Sequence, residues 1–249
     1  AAGVGPLAGL RVVDFGRFAV GPAAGMYLGQ LGAEVIKIES PTGDGSQKVM
    51  PLKQGVSIVY MTVNSCKKNI LLDLRDPADR DVAFRLACSA DVLIENFRTG
   101  VIDRLGLGYE AVSAVNPRIV YGSASGYGSR GPMRELGSTD HFGQAISGFV
   151  SVNGSPGGEP ELLRQAGFVD MASAQRLLQA ILAGLYVRER TGRGQKVETS
   201  QLAAGMGLVI TRLAEAALGN TTPEPLGSAS PTCVPSQAFR SADGRWLFV

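Results

Sequence analysis

Histidine is nearly absent from this chain of 249 residues, with a single copy at His141, and cysteine is scarce, with three at Cys66, Cys88 and Cys233. Metal centres need several ligands at short spacing, and no such spacing links these four side chains. An odd number of cysteines also argues against a disulfide framework, so reduced thiols in a cytoplasmic protein are the expectation. Charge of one dominant sign is missing as well: 24 basic and 22 acidic residues leave a net charge of +2. No basic run is interleaved with aromatics, and nucleic acid is not an expected partner. Nowhere does an apolar stretch reach the roughly 20 residues that span a bilayer, and no signal-peptide pattern opens the chain, so no membrane partner is expected either. Two phosphate-binding loops are lacking too. The first apolar run is followed by Gly16-Arg17-Phe18-Ala19-Val20-Gly21-Pro22, which is not the Gly-x-Gly-x-x-Gly turn a dinucleotide needs, and no Walker loop occurs. Methionine is missing at the start, where Ala1-Ala2-Gly3 predicts a trimmed terminus or a longer parent chain.

Hydrophobic residues make up 45% of the chain, enough for a sizeable core. Short apolar runs at 10–15 and 33–39 read as strands, with a helical pattern of small residues at 21–31 between them, a β-α-β opening that implies a parallel sheet. Residues 41–64 read as irregular apart from a strand piece at 56–61, and alternation at 69–74 marks another strand. Asp76-Pro77 is a helix start signal for 77–88. Strands at 91–96 and 118–123 flank short helices at 100–105 and 110–115, and the alternation continues to about residue 200. The expected fold is α/β, a doubly wound, mostly parallel sheet. Residues 219–235, rich in Pro, Ser and Thr, read as a linker, and 241–249 as a turn and a strand with nothing to pair with, predicting a chain that continues or is completed by another.

One carboxylate stands out. Asp170 lies between a Gly- and Pro-rich stretch at 154–160 and a long helix whose Met171, Ala174, Leu177, Leu178, Ile181, Leu182 and Leu185 recur on one face. Its position is that of a helix cap. It also suits a carboxylate nucleophile, which a helix N-terminus would keep ionised. Ligands of such sheets bind at strand ends. There, Asn96, Phe97 and Arg98, with Arg104 a turn and a half later, combine an amide, an aromatic face and two guanidinium groups fit for a purine and phosphates; Arg17 and Phe18 form a smaller set. His141 lacks partners for a metal site or a nucleophile elbow and reads as structural.

Several phrases in order resemble one family. Leu7-Ala8-Gly9-Leu10-Arg11-Val12-Val13-Asp14, Gly21-Pro22 and Leu31-Gly32-Ala33-Glu34-Val35-Ile36-Lys37-Ile38-Glu39 are similar to the opening of the family III CoA-transferases. Glu95-Asn96-Phe97-Arg98-Thr99-Gly100-Val101, Arg104-Leu105-Gly106-Leu107-Gly108-Tyr109, Asn116-Pro117-Arg118, Ser125-Gly126-Tyr127-Gly128 and Gly131-Pro132 resemble its middle. Arg188-Glu189-Arg190-Thr191-Gly192-Arg193-Gly194-Gln195, then Gln237-Ala238-Phe239 and Ala242-Asp243-Gly244, complete the match. The resemblance implies a Rossmann-like large domain over 1–205, and a linker with the beginning of a small domain over 206–249. It further implies a missing C-terminal part, an interlocked homodimer or a completing chain, and no tightly bound cofactor. CoA would move between an acyl-CoA and a free carboxylic acid, with Asp170 as nucleophile passing through an anhydride and an aspartyl-CoA thioester. By the same resemblance Phe18, Leu72, Asp73, Leu74, Arg75, Asn96, Phe97, Arg98 and Arg104 contact CoA, while Ser40 stands where some members carry a basic residue. A related branch, the α-methylacyl-CoA racemases, uses a His-Asp pair from a Gly-His-Asp phrase. Here Ser138-Thr139-Asp140-His141 puts Thr139 at that histidine's place and His141 two positions late. Arg17, Thr139, Asp140 and His141 are secondary candidates. A non-catalytic CoA-binding subunit is the remaining alternative.

Overall fold

Val12 and Val13 are both fully buried yet belong to different cores, because successive side chains of a strand point to opposite faces. That double burial is the signature of a parallel sheet covered on both sides. The structure, a computed structural model, describes residues 4–249; the expectation tied to Ala1-Ala2-Gly3 lies outside them. Its main sheet has six strands: β1 (Arg11–Asp14), β2 (Glu34–Glu39), β5 (Lys67–Leu71), β6 (Val92–Glu95), β7 (Val120–Ser125) and β8 (Lys196–Ser200). They run in the order β5-β2-β1-β6-β7-β8, all pairs parallel. Counted along this sheet, the order is 3-2-1-4-5-6, the doubly wound Rossmann-like arrangement with its switch point between β1 and β6.

Helices α1 (Val20–Gln30) and α8 (Phe168–Thr191) cover one face, where Ala23, Leu28, Leu177 and Ile181 meet Val12, Val35 and Val120. The 24-residue α8 lies close because two glycines make room: a Cβ on Gly184 would come within 2.9 Å of Val120, and one on Gly122 within 2.8 Å of Ile181. Helices α3 (Pro77–Cys88), α4 (Val101–Arg104) and α5 (Tyr109–Val115) cover the other face with Ala83, Ala87, Ile102 and Val112. Asp76 caps α3 as its sequence predicts, accepting from the amides of Ala78 and Asp79.

Three expectations need correction. The strand piece at 56–61 is instead a small hairpin, β3 (Leu52–Lys53) with β4 (Val56–Ser57), followed by α2 (Ile58–Val63). Ser57 decides this, since its hydroxyl accepts from the Tyr60 amide as an N-cap and turns an apolar β-branched run into a helix. Asp170 is not the cap of α8: Gly167 is, and Asp170 sits three positions inside, in the first turn. The final strand is also not without a neighbour. Following α6 (Asp140–Ile146), α7 (Phe149–Val152), α9 (Gln201–Leu208) and α10 (Ile210–Gly219), the chain ends in β9 (Ala238–Arg240) and β10 (Trp246–Phe248), which pair antiparallel. Gly244, at φ +82°, lies in the turn expected from the sequence; the partner strand before it, β9, is what the sequence did not reveal. The predicted linker, 219–235, holds no helix or strand after Gly219, the last residue of α10. No single described helix is long and apolar enough to cross a membrane; α9 and α10 together pass by length and composition but are bent by 78°.

Candidate active site

The carboxyl ends of β1 and β6 meet at the switch point, and two clefts open there. The larger, about 640 Å³, is lined by Arg17, Phe18, Asn96, Phe97, Arg98, Ser125, Ser138, Thr139, Phe142, Asp170 and Gln201, among others. The smaller, about 180 Å³, is lined by Phe15, Arg17, Ile38, Ser40, Asp44, Leu72, Asp73, Leu74, Arg75, Phe97 and Leu105, among others. Arg17 and Phe97 border both, so one elongated molecule passing over them could occupy the two clefts together.

The loop carrying Arg17 and Phe18 is fixed from below. Asn96 clasps the Arg17 backbone from both sides, its Oδ1 accepting from the amide at 2.7 Å and its Nδ2 donating to the carbonyl at 2.9 Å. Both ends of the Asn96 amide are thus engaged by the loop, a positioning role that leaves its second Nδ2 hydrogen for a ligand. Phe18 adopts φ +60°, a costly conformation for a side-chain-bearing residue, and its amide donates to Asp44. Asp44 in turn pairs with the buried Lys37 at 3.2 Å, whose Nζ also donates to the Gly16 carbonyl at 2.6 Å. On the other side of Gly16, Asp14 pairs with Lys67 at 2.7 Å. Burial works against the Asp14 charge, but Lys67 and Lys37 hold its carboxyl below the usual carboxylate range. These buried pairs make the loop a rigid wall whose Phe18 ring stays half exposed.

Asp170 reaches the larger cleft from the first turn of α8. Two of the amides that a helix start leaves unpaired are taken: those of Val169 and Asp170 donate to Oδ1 of Asp140, at 2.7 and 3.0 Å. Asp140, buried at the start of α6, is itself held by Gln144, whose Nε2 donates to Oδ2 at 2.6 Å. Asp170 therefore gains no hydrogen bond from its own helix terminus and has a second carboxylate nearby. Burial first, and the Asp140 charge second, push its carboxyl up to about 6, while a hydrogen bond from Gln201 pulls the other way. The expectation that the helix terminus keeps this group ionised is not met by a hydrogen bond, because its Val169 and Asp170 amides are bonded to Asp140. Gln201 Nε2 donates to Asp170 Oδ1 at 2.5 Å; among the described residues no donor reaches Oδ2.

Not all expected site residues converge. Phe18, Asn96, Phe97, Arg98, Thr139, Arg17 and Asp170 meet around the larger cleft, and Leu72, Asp73, Leu74 and Arg75 around the smaller. Arg75 is clamped by Asp73, which it holds at about 2, so its charge is offset locally. Arg104 and His141 line neither cleft. Sequence reasoning missed Lys37, Asp44 and Gln201; only Gln201 left a signal, standing at the carboxyl end of a strand just after the helix-capping Ser200. Behind Phe97, burial pushes Glu95 up to about 7 although the Ser123 hydroxyl and the Phe97 amide both donate to it. No group of three or more His, Cys, Asp or Glu placed to hold a metal occurs among the described residues.

Comparison with known proteins gives consistent matches. A family profile described as CoA-transferase family III fits residues 7–249. An acetyl-CoA:oxalate CoA-transferase of Acetobacter aceti is 35% identical over 240 residues, 96% of this chain and 62% of that protein. A succinyl-CoA:glutarate CoA-transferase of Mus musculus is 35% identical over 241 residues, covering 96% of this chain and 55% of that protein. The crystal structure of a CAIB/BAIF family protein from Brucella suis superposes with a TM-score of 0.90 at 33% identity, over 98% of this chain and 66% of that one. The chain thus spans roughly three fifths of the length of the relatives it matches.

Proposed function

The chain belongs to CoA-transferase family III, and on that premise we propose that the protein moves coenzyme A between an acyl-CoA thioester and a free carboxylic acid, with Asp170 as the nucleophile. The observation that carries this reading is the Asp170 carboxylate itself: it faces the larger cleft with one oxygen bound by Gln201 and the other without a donor among the described residues. A carboxylate in that state can attack an acyl carbon, and covalent catalysis divides acyl exchange into easier transfers.

Four steps balance. Asp170 Oδ2 attacks the thioester carbon; a C–O bond forms, the C–S bond breaks and CoA leaves as thiolate, giving a mixed anhydride. The thiolate attacks Cγ of Asp170, forming an aspartyl-CoA thioester and releasing the first carboxylate. The acceptor carboxylate then attacks Cγ and expels CoA thiolate, forming a second anhydride. The thiolate finally takes the acceptor's acyl carbon, regenerating Asp170. Throughout, the small cleft with Leu72, Leu74, Leu105 and Phe97 supplies an apolar wall for the CoA moiety, and Arg17 and Arg98 face its phosphates. The exposed apolar Ile210 and Leu218 of α10 support a reading in which a second copy, interlocked with the first, completes the molecule.

Racemisation needs a second acid–base group across from Asp170. Thr139 borders that cleft and His141 does not, which supports transfer over proton exchange. The test is intact-mass analysis after mixing with an acyl-CoA, with and without hydroxylamine: Asp170 should gain an adduct and then a hydroxamate. Unchanged turnover in Asp170→Ala would overturn the assignment.

A further inference from the structure

We propose that Gln201 is a catalytic residue of this centre, fixing which oxygen of Asp170 attacks and then stabilising the oxyanion that develops on the other. The role rests on the transfer reading above, because it concerns the steps in which Cγ of Asp170 is itself the electrophile.

Three observations carry it. The Gln201 side chain is held firmly: it is 7% exposed, opens α9 immediately after the N-cap Ser200, and its Cβ lies against Gly143. Its Nε2 donates to Asp170 Oδ1, which leaves Oδ2 as the oxygen free to form the anhydride. Once Oδ2 is acylated, Oδ1 becomes the carbonyl oxygen of the aspartyl group. When CoA thiolate or the acceptor carboxylate adds to Cγ, the electron pair of the C=O bond moves onto Oδ1, and returns as the leaving carboxylate or thiolate departs. A donor already in place at that atom needs no rearrangement as the charge grows. Two of the usual donors for such charge, the amides of Val169 and Asp170 at the start of α8, are bonded to Asp140. Gln201 is the side chain that remains.

The residue type fits the task. A primary amide donates without carrying a charge, so it orients the carboxylate without neutralising its nucleophilicity as a lysine or arginine would. It also has no proton to lose near neutral pH. The groups facing Asp170 are Asp140 from α6 and Gln201 from α9, with Arg17 and Arg98 on the cleft wall. Of these, only Gln201 makes a hydrogen bond to the Asp170 side chain among the described residues.

The experiment compares wild type, Gln201→Met and Gln201→Glu, mixed rapidly with an acyl-CoA, quenched and read by intact mass. Gln201→Met keeps the length and bulk and removes the donor; its thermal unfolding with and without CoA checks that the fold and the ligand site persist. Wild type should carry the mass of CoA on Asp170. Gln201→Met should stall with the acyl group alone, the conversion to thioester slowing by about a hundredfold while the affinity for acyl-CoA stays within about twofold. Its acid limb should also move up by about one pH unit, a hydrogen bond to the ionised form having been lost. Gln201→Glu, which offers no donor when ionised, should stall in the same way. Thioester formation at the wild-type rate in Gln201→Met overturns the role while leaving Asp170 as nucleophile. Absence of any adduct on wild type overturns the transfer reading itself, and the role with it.

Discussion

An aspartate that is buried beside a second aspartate ionises late, and Asp170 does so at about 6. Since only the carboxylate attacks, kcat/KM for acyl-CoA should rise with pH through about 6, and Asp140→Asn should move that limb downward by removing the neighbouring charge. The same shift bears on stability. In the unfolded chain Asp170 has the ordinary value of about 3.9. Between about 4 and 6 the folded state holds a proton that the unfolded state has released, so the contribution of this group falls as pH rises and is adverse above about 6. Asp170→Asn should therefore lose turnover yet unfold at a higher temperature than wild type at pH 7.5, the difference closing by pH 4; a lower unfolding temperature at pH 7.5 would refute the account. The position of Asp170 was legible in the sequence because a Gly-rich stretch and an apolar period bracket it. Its ionisation was not, because that depends on Asp140, which only folding brings to the helix start.

The loop after β1 shows how an element inherits its shape from others. Phe18 keeps φ +60° only while Asp44 and Lys37 hold it, and both belong to the segment that begins with β2. Asp44→Ala leaves the Lys37 ammonium with Glu39 at 3.9 Å as its remaining acid partner and should cost about 3 kcal/mol in urea unfolding. Asn96→Ala should act differently: by releasing the Arg17 backbone it should weaken CoA binding about tenfold in calorimetry, the cost of about one net hydrogen bond. Helical and strand periods announced β1, α1, β2 and α3 within a residue or two, and the existence of α8 but not its ends, which lie at Phe168 and Thr191. The stretch 41–64 did not yield to the same reading, since its elements are only two to six residues long and are set by single contacts such as the Ser57 cap.

At the scale of the whole molecule, the order 3-2-1-4-5-6 places both clefts at one seam; the alternation of strands and helices in the sequence predicted a doubly wound sheet with ligands at its strand ends, but not which strands meet there. What it could not supply was the pairing of β8 with its place in the site, because Gln201 lies 31 residues from Asp170 and no spacing connects them. CoA bridging the two clefts should stabilise the entire fold: at a hundred times its Kd, unfolding should cost about 2.7 kcal/mol more, seen as a raised melting temperature. If CoA leaves melting unchanged, the clefts are not its site. One further property follows from the bonds Asp140 makes to the amides of Val169 and Asp170. The opening turn of a helix ordinarily exchanges its amide hydrogens with solvent fastest, having no acceptors of its own. In α8 these two amides should be among the slowly exchanging ones, so that deuterium uptake at Val169 and Asp170 times the separation of α6 from α8 and reports, without any chemical label, whether the nucleophile is in its working position.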